Sequence, residues 1–387
     1  MALKVLELFA GIGACSSALD RIGIQHEIVD AVEIDKYAIK SFNAIHGTNF
    51  ETQDITKWNK DLEVDLIMHG SPCQDFSLAG KQAGGDIGSG TRSSLMYETI
   101  RIVGKLRPKF VIWENVKNVL STKHKHNFDN YLTSMGSLGY TNYYEVLNAK
   151  DYGVPQNRER VFTISILNNI QFEFPKGNIT ECEVINPLKD ISGKSWQFEQ
   201  NVYSENSILR SLKAGGGSGN IPKIIEHFEF PTKQELKLRL KDILEDKVDE
   251  KYYLSEKMTN YVLDNNETQK GTKWEGRADN DTLNSNIAHT LSVRGASGCQ
   301  RAGVSNFIVE DCEDEIKVKD LKLKIKNAAK SGLRIRKLTP KECWRLMGFT
   351  DEEFEKAEKI NSNTQLYKQA GNSIVVNVLE AIFRNLL

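Results

Sequence analysis

An α/β fold built on a mostly parallel sheet is what this sequence predicts, and three observations predict it. Short apolar runs alternate with helix-like stretches up to about residue 170. The runs are rich in Val and Ile, as strands buried on both faces of a sheet require. The last stretch, QAGNSIVVNVLEAIFRNLL, reads as a Gly-Asn-Ser turn followed by an apolar helix, and only a large α/β core offers such a helix enough cover. At 387 residues, 40% hydrophobic and 27% charged, the chain has ordinary soluble composition and room for two domains.

Taken in order, strands are expected at KVLELF, EIVDAVEI, VDLIM, KFVIWEN and ERVFTISIL, with helical periodicity at 36–46 and 93–106 between them. The pattern breaks from about 175 to 332, where GGGSG stands at 215–219, a charge-dense helix candidate at 233–250, and Gly/Asn/Ser-rich text after 264. Helical punctuation returns in LTPKECWRLMGF, with Thr339 as N-cap, Pro340 as first helical residue and Glu342 as capping-box partner. The expected organisation is a main domain over 1–174, a smaller inserted module over 175–332, and a return to the first domain over 333–387.

Six cysteines (Cys15, Cys73, Cys182, Cys299, Cys312 and Cys343) form no CxxC pair, which points to a reduced, cytoplasmic protein without a structural metal. No apolar run reaches the roughly 20 residues of a membrane span, and no secretory signal opens the chain. The net charge of −1 decides nothing about nucleic acid, so distribution matters. Basic residues crowd 317–341 and, less densely, 101–125; either run serves as a phosphate-contacting strip or as an ordinary solvated face.

The first strand runs into FAGIGACSSAL, where Gly11 and Gly13 let the backbone turn tightly at a helix N-terminus. The second ends in Glu33, a possible acceptor for ribose hydroxyls. Ser16 stands where a dinucleotide fingerprint has its third glycine, so an adenosyl ligand carrying a carboxylate fits as well as a dinucleotide. Asp54, in QDI, faces the same pocket or merely caps a turn. The third strand ends in GSPCQ, which puts Cys73 beyond a proline corner among polar neighbours, where a thiolate is a strong nucleophile. Glu114 closes an apolar strand, where it is either a strand-end cap or a carboxylate whose pKa desolvation raises, making it a proton donor. Arg158 and Arg160, in QNRER, alternate at a strand start and either present two guanidinium forks to one edge or form the ordinary ion-pair pattern of a surface strand. After Cys73 comes a glycine-rich polar loop with Lys81, Gln82 and Arg92, suited to closing over a substrate.

In their order and spacing, the blocks FAGIG, the Glu33 strand end, GSPCQDFS, ENV, QNRER, RKLTPKECWRLMGF and QAGNSIVVNV resemble the DNA cytosine-5 methyltransferase family, over most of 1–165 and 334–380. The resemblance implies a Rossmann-like catalytic domain with an inserted target-recognition domain, S-adenosylmethionine as methyl donor, no metal, double-stranded DNA as partner and a monomer. It implies that Phe9 packs on the adenine, Glu33 holds the ribose and Asp54 the adenine amino group, with Gly11, Gly13, Pro72 and Asn372 lining the pocket. It makes Cys73 the nucleophile, Glu114 the acid at the cytosine, and Arg158 with Arg160 the pair that organises the centre. Ile34 departs from the family, whose members often carry an aromatic after the ribose-binding acid.

The chemistry agrees. Carbon 5 of cytosine is a poor nucleophile until a thiolate adds to carbon 6, and a proton shared at N3 stabilises the charge that develops. Because the target atom is unreachable inside a duplex, the base must flip out. Ser77, Lys81, Gln82 and Arg92 of the loop, with Arg294 and Arg301 of the module, are the expected DNA contacts. A cognate restriction endonuclease, a solitary role and a phage source all suit one chain. The recognition sequence and the base that takes the C5 proton stay open, water being a candidate for the latter. A tRNA cytosine methyltransferase on the same fold is disfavoured by the large middle segment and by the absence of that branch's Cys-Phe-Thr tripeptide. An inactive DNA-binding regulator is disfavoured by the joint presence of Cys73, Glu114, Arg158 and Arg160, and a nicotinamide dehydrogenase explains only FAGIG and Glu33.

Overall fold

The computed structural model describes residues 2–72, 92–168, 170–177, 202–204, 209–212, 221–225, 240–255 and 335–387. Its centre is a six-stranded sheet in the order β2-β1-β3-β4-β7-β5. Strands β1 (Leu3–Leu8), β2 (His26–Val32), β3 (Leu66–His69) and β4 (Phe110–Val116) run parallel. The edge formed by β5 (Tyr140–Asn148) and β7 (Glu159–Leu167) is antiparallel. A two-residue strand β6 (Gln156–Asn157) lies between them in sequence. The sheet is therefore mixed, and the α/β class expected from the sequence holds. Strand β5 was not among the expected runs: YTNYYEVLN is polar and aromatic in turn and only half-buried, the pattern of an edge strand.

Side chains alternate across the pleat, so each central strand feeds two cores. Val5, Met68 and Ile112 point to one, Leu6, Ile67 and Trp113 to the other. Helices α3 (Met96–Leu106) and α4 (Lys125–Ser137) cover the second core with Met96, Ile102, Val103, Phe128, Tyr131 and Met135. Helix α1 (Ala14–Arg21) covers the first, and α2 (Lys36–His46) packs its Ile39 and Phe42 on Ala31. Asp35 starts α2 by accepting the Tyr37 and Ala38 N–H groups, and Gly47 in the left-handed region ends it.

The chain end packs against helices of the main sheet. Thr339 and Glu342 form a reciprocal capping box at α5 (Pro340–Arg345), with Pro340 at its first position. A second box, Thr350 with Glu353, opens α6 (Asp351–Glu358), which lies against α2. After α7 (Asn363–Asn372), helix α8 (Val376–Leu386) lies along α1 and buries Val376, Val378, Leu379, Ile382 and Phe383 in the first core. Each such side chain contributes about 1.5–3 kcal/mol, enough to explain why so apolar a terminus docks here. Gly371 and Asn372, expected in a turn, are the last residues of α7, and the turn follows them at Ser373–Val375.

Of the middle segment, strand β8 (Val202–Ser204) pairs with β10 (Lys223–Ile225), which pairs with β11 (Ile335–Lys337); β9 (Leu209–Arg210) pairs with β6. The helix expected over 233–250 is corrected in its described part: 240–243 is a single 3₁₀ turn, and irregular backbone follows to 249. Where the basic runs are described, several of their cations have partners within the protein. Arg336 is fully buried against Glu342, and Lys341 pairs with Asp351 and Glu355. Arg101 bonds Glu98 and the Ile55 carbonyl, Lys105 bonds Asn59, and Arg107 donates to the Leu138 carbonyl. These cations serve the fold.

Candidate active site

The parallel register levels the four strands near their carboxyl ends, β4 alone running on past this row to Val116. Leu8 is level with Val32 and His69, and His69 with Trp113. The next residue on each strand is therefore Phe9, Glu33, Gly70 or Glu114, one row along the sheet edge where open α/β folds bind ligands.

At the β2 end, Glu33 accepts the N–H of Gly11 on Oε2 (2.9 Å) and of Asp35 on Oε1 (2.7 Å). Burial raises its pKa against these bonds. Phe9 and Gly11 both take positive φ, 54° and 58°. That bend turns the chain out of β1, and a side chain at Gly11 would meet open space. Gly13, at φ 85°, is glycine for the opposite reason: a Cβ there would collide with the His46 ring. The space beside Gly11 offers a cradle for a ligand. Backbone bonding of Gln53 N–H to the Glu33 carbonyl (2.9 Å) brings Asp54 alongside. Its carboxylate accepts the Thr56 N–H and hydroxyl, which hold its pKa down. Asp30, buried, anchors this turn through Gln53, Trp58 and Lys60. Ile34 is 72% exposed beside Glu33.

At the β4 end, Glu114 pairs with Arg160 (Nε to Oε1, 3.0 Å), which the β4–β7 register sets opposite Val116. Burial pushes the Glu114 pKa up, while Arg160 and, from further off, Arg158 pull it back; the net direction is up. Gly70 leaves room at the same carboxylate, since a Cβ there would lie 3.7 Å from Oε2 and 3.5 Å from Ile374. The two arginines do not act as one fork pair. Arg158 donates to the carbonyls of Leu212 (3.2 Å), Gly371 (3.2 Å) and Ser373 (2.8 Å), so the expectation that the two forks are presented to one edge is corrected.

Pro72 is half-buried and directly precedes Cys73 in sequence. Its approach is fixed by two residues that sequence reasoning passed over: Trp113 donates to the Ser71 hydroxyl (2.9 Å) and Asn115 to the Ser71 carbonyl (3.4 Å). Behind them His69 is buried, stacked on Trp113 and bonded to Tyr131 (3.0 Å); burial pushes its pKa down to about 3, so it is neutral. Asn372 is exposed at the end of α7. Cys73, Ser77, Lys81, Gln82, Arg294 and Arg301 lie outside the described residues, and of Arg92 only the backbone is described, opening a 3₁₀ turn.

A mostly parallel sheet with a glycine turn after β1, an acid after β2 and a proline corner after β3 is an open α/β fold with a ligand site along its strand ends. The family described as C-5 cytosine-specific DNA methylase matches residues 3–387, and the chain belongs to it. The chain is 31% identical to orphan methyltransferase M.SPRI of Bacillus phage SPR, covering 100% of this chain and 97% of that one. It is 32% identical to type II methyltransferase M2.ScrFI of Lactococcus lactis subsp. cremoris, covering 99% of each. Among solved structures, an Entamoeba histolytica methyltransferase, EhMeth, superposes with a TM-score of 0.58 at 16% identity over 100% of this chain and 98% of that one, a likeness of fold. The protein methylates carbon 5 of cytosine in double-stranded DNA, with S-adenosylmethionine as donor and the target base flipped out of the helix. Among the described residues, no helix is long and apolar enough to cross a membrane.

Proposed function

We propose that Cys73 is the nucleophile of this reaction and Glu114 its acid, within a catalytic domain of 1–174 and 333–387 that carries a target-recognition domain over 175–332. The observation that carries this reading is the buried Glu114–Arg160 pair, one strand away from the Ser71–Pro72 corner that leads to Cys73. Glu33, Asp54, Phe9, Gly11, Gly13, Pro72 and Asn372 would hold S-adenosylmethionine; the open cradle at Gly11 and a Glu33 carboxylate bonded only through neutral N–H donors suit a ligand offering hydroxyls. When bound, the cofactor supplies a methyl group on an electron-poor sulfur.

The chain's own residues do the rest. The Cys73 thiolate forms a bond to cytosine C6, and the C5–C6 π electrons move into the ring. Glu114, its pKa raised, gives or shares a proton at N3 as that charge develops. Arg160, held against Glu114, has its remaining donors for the O2 edge. Once C5 carries the methyl group, a base takes the C5 proton, the C5–C6 double bond re-forms as the C6–S bond breaks and the thiolate leaves, and the N3 proton returns to Glu114. Ser77, Lys81, Gln82 and Arg92 contact DNA from the loop, and Arg294 and Arg301 from the recognition domain. The enzyme works as a cytoplasmic monomer on one short sequence, either beside a cognate restriction endonuclease or alone. Relatives named as type II and as orphan methyltransferases represent both settings.

The test is expression in a host without cytosine methylation, followed by bisulfite sequencing, with Cys73→Ser as control. Protected cytosines within one short motif are expected from the wild type and none from the variant, which should still bind DNA. Equal protection by Cys73→Ser would sink the covalent mechanism.

A further inference from the structure

Near its end, strand β4 carries three consecutive residues, Trp113, Glu114 and Asn115, whose side chains alternate across the sheet. Trp113 and Asn115 turn to one side, where both reach Ser71. The indole N–H donates to the Ser71 hydroxyl (2.9 Å) and the Asn115 amide to its carbonyl (3.4 Å). Glu114, between them, turns to the other side and meets Arg160 (3.0 Å). The two bonds therefore tie the Ser71–Pro72 corner to the strand residues that flank the acid. Pro72 has no N–H to offer, and the corner is held through Ser71.

The indole has no room to swing. It is buried, stacked on the His69 ring (5.8 Å between centroids, 1° between planes) and packed against Tyr131 (4.3 Å) and Phe128 (5.7 Å) of α4. His69 is fixed in turn, with Nε2 3.0 Å from the Tyr131 hydroxyl and Nδ1 3.4 Å from the Thr99 hydroxyl of α3. Helix α3 is the first α-helix after the stretch 73–91, so the chain on both sides of that stretch is anchored on one buried aromatic group. Ser71 is buried as well, and loss of the indole N–H would strand its hydroxyl away from water.

We propose that Trp113 is a positioning residue for methyl transfer: its bond to Ser71 sets the reach of the nucleophile relative to Glu114, and with it the rate at which the covalent bond to cytosine forms. This rests on the reading of Cys73 as nucleophile and Glu114 as acid. Pro72 directly precedes Cys73 in sequence, and a reacting atom displaced by about 1 Å can cost about a hundredfold in rate.

The experiment follows covalent trapping on a duplex that carries the motif found by bisulfite sequencing, with 5-fluorocytosine as the target base and S-adenosylmethionine and duplex both saturating. Fluorine stands where the C5 proton would leave, so no base restores the C5–C6 double bond, the C6–S bond persists and the protein stays on the duplex. The rate constant reports positioning, and the trapped fraction reports how much of the protein is correctly folded. Trp113→Phe keeps a stacking ring and loses the N–H. Its trapping rate should fall about tenfold or more, with the trapped fraction and the affinity for the product S-adenosylhomocysteine unchanged. Ser71→Ala should slow trapping to a similar extent, and the double variant should be no slower than the slower single one, because both remove the same bond. If Trp113→Phe fails to fold, the Ser71→Ala rate decides alone. A wild-type rate in either variant, a smaller trapped fraction with the rate kept, or losses that multiply in the double variant overturns this inference and leaves the functional reading standing. A wild type that methylates DNA without being trapped overturns the Cys73 reading with it.

Discussion

Glu33 and Glu114 stand in the same row of strand ends, three strand steps or about 14 Å apart, and burial raises the pKa of both. Their partners differ. Glu33 accepts neutral backbone N–H groups from Gly11 and Asp35. Glu114 faces the guanidinium of Arg160, with the charge of Arg158 behind it. A carboxylate among neutral donors is an acceptor for hydroxyls. A carboxylate whose burial and cation work against each other is balanced to exchange a proton. On the proposed roles, the choice of neighbour along one sheet edge would separate holding a cofactor from acting on a base.

The largest effect should come from the base end. Glu114→Gln keeps the shape and removes the exchangeable proton, so kcat should fall about 10²–10⁴-fold, with affinity for S-adenosylhomocysteine within twofold. Single-turnover methyl transfer and equilibrium binding read the two separately. Loss of cofactor affinity with little loss of rate would erase the contrast between the two acids.

Next is the cofactor end. Glu33→Gln loses hydrogen bonds to a charged acceptor, about 1.5–3 kcal/mol, and should weaken S-adenosylmethionine binding about 10- to 100-fold. At saturating cofactor, kcat should stay within a few-fold. A rate defect that persists at saturation would mean that Glu33 takes part in the chemistry.

The strand ends of this site were legible in the sequence because they are local. A short apolar run ending in an acid, or in Gly-Ser-Pro, is one continuous piece of text, and the capping box of Thr339 and Glu342 spans four residues. What the sequence hid depends on partners far along the chain. Arg158 and Arg160 look equivalent in QNRER; they diverge because Gly371 and Ser373 come back to one of them and Glu114 faces the other. Arg336 reads as part of a basic strip, yet the fold buries it against Glu342, six residues on. Trp113 and Gln156 were given no role from the sequence, and tertiary packing gives each its distant partner.

A third acid sharpens the comparison with the smallest effect. Glu7, inside β1, is buried among neutral donors, as Glu33 is, but it faces no ligand cradle: it accepts from the Ser16 N–H (3.1 Å) and hydroxyl and from the Cys15 N–H. Burial raises its pKa to about 7. The folded state therefore favours the protonated form, and stability is fullest below the unfolded-state value near 4.5. It declines as pH rises towards about 7, by about 1.4 kcal/mol per unit, and then levels off. Glu7→Gln is neutral at every pH and escapes that decline. The melting temperature of the variant relative to the wild type should climb by a few degrees between pH 5 and pH 7.5 and stay flat above pH 8. Any fixed penalty from placing an amide beside the Cys15 N–H shifts the whole curve without changing its slope. Two parallel curves would mean that Glu7 ionises freely inside the sheet, and neutral donors alone would then not explain why Glu33 differs from Glu114.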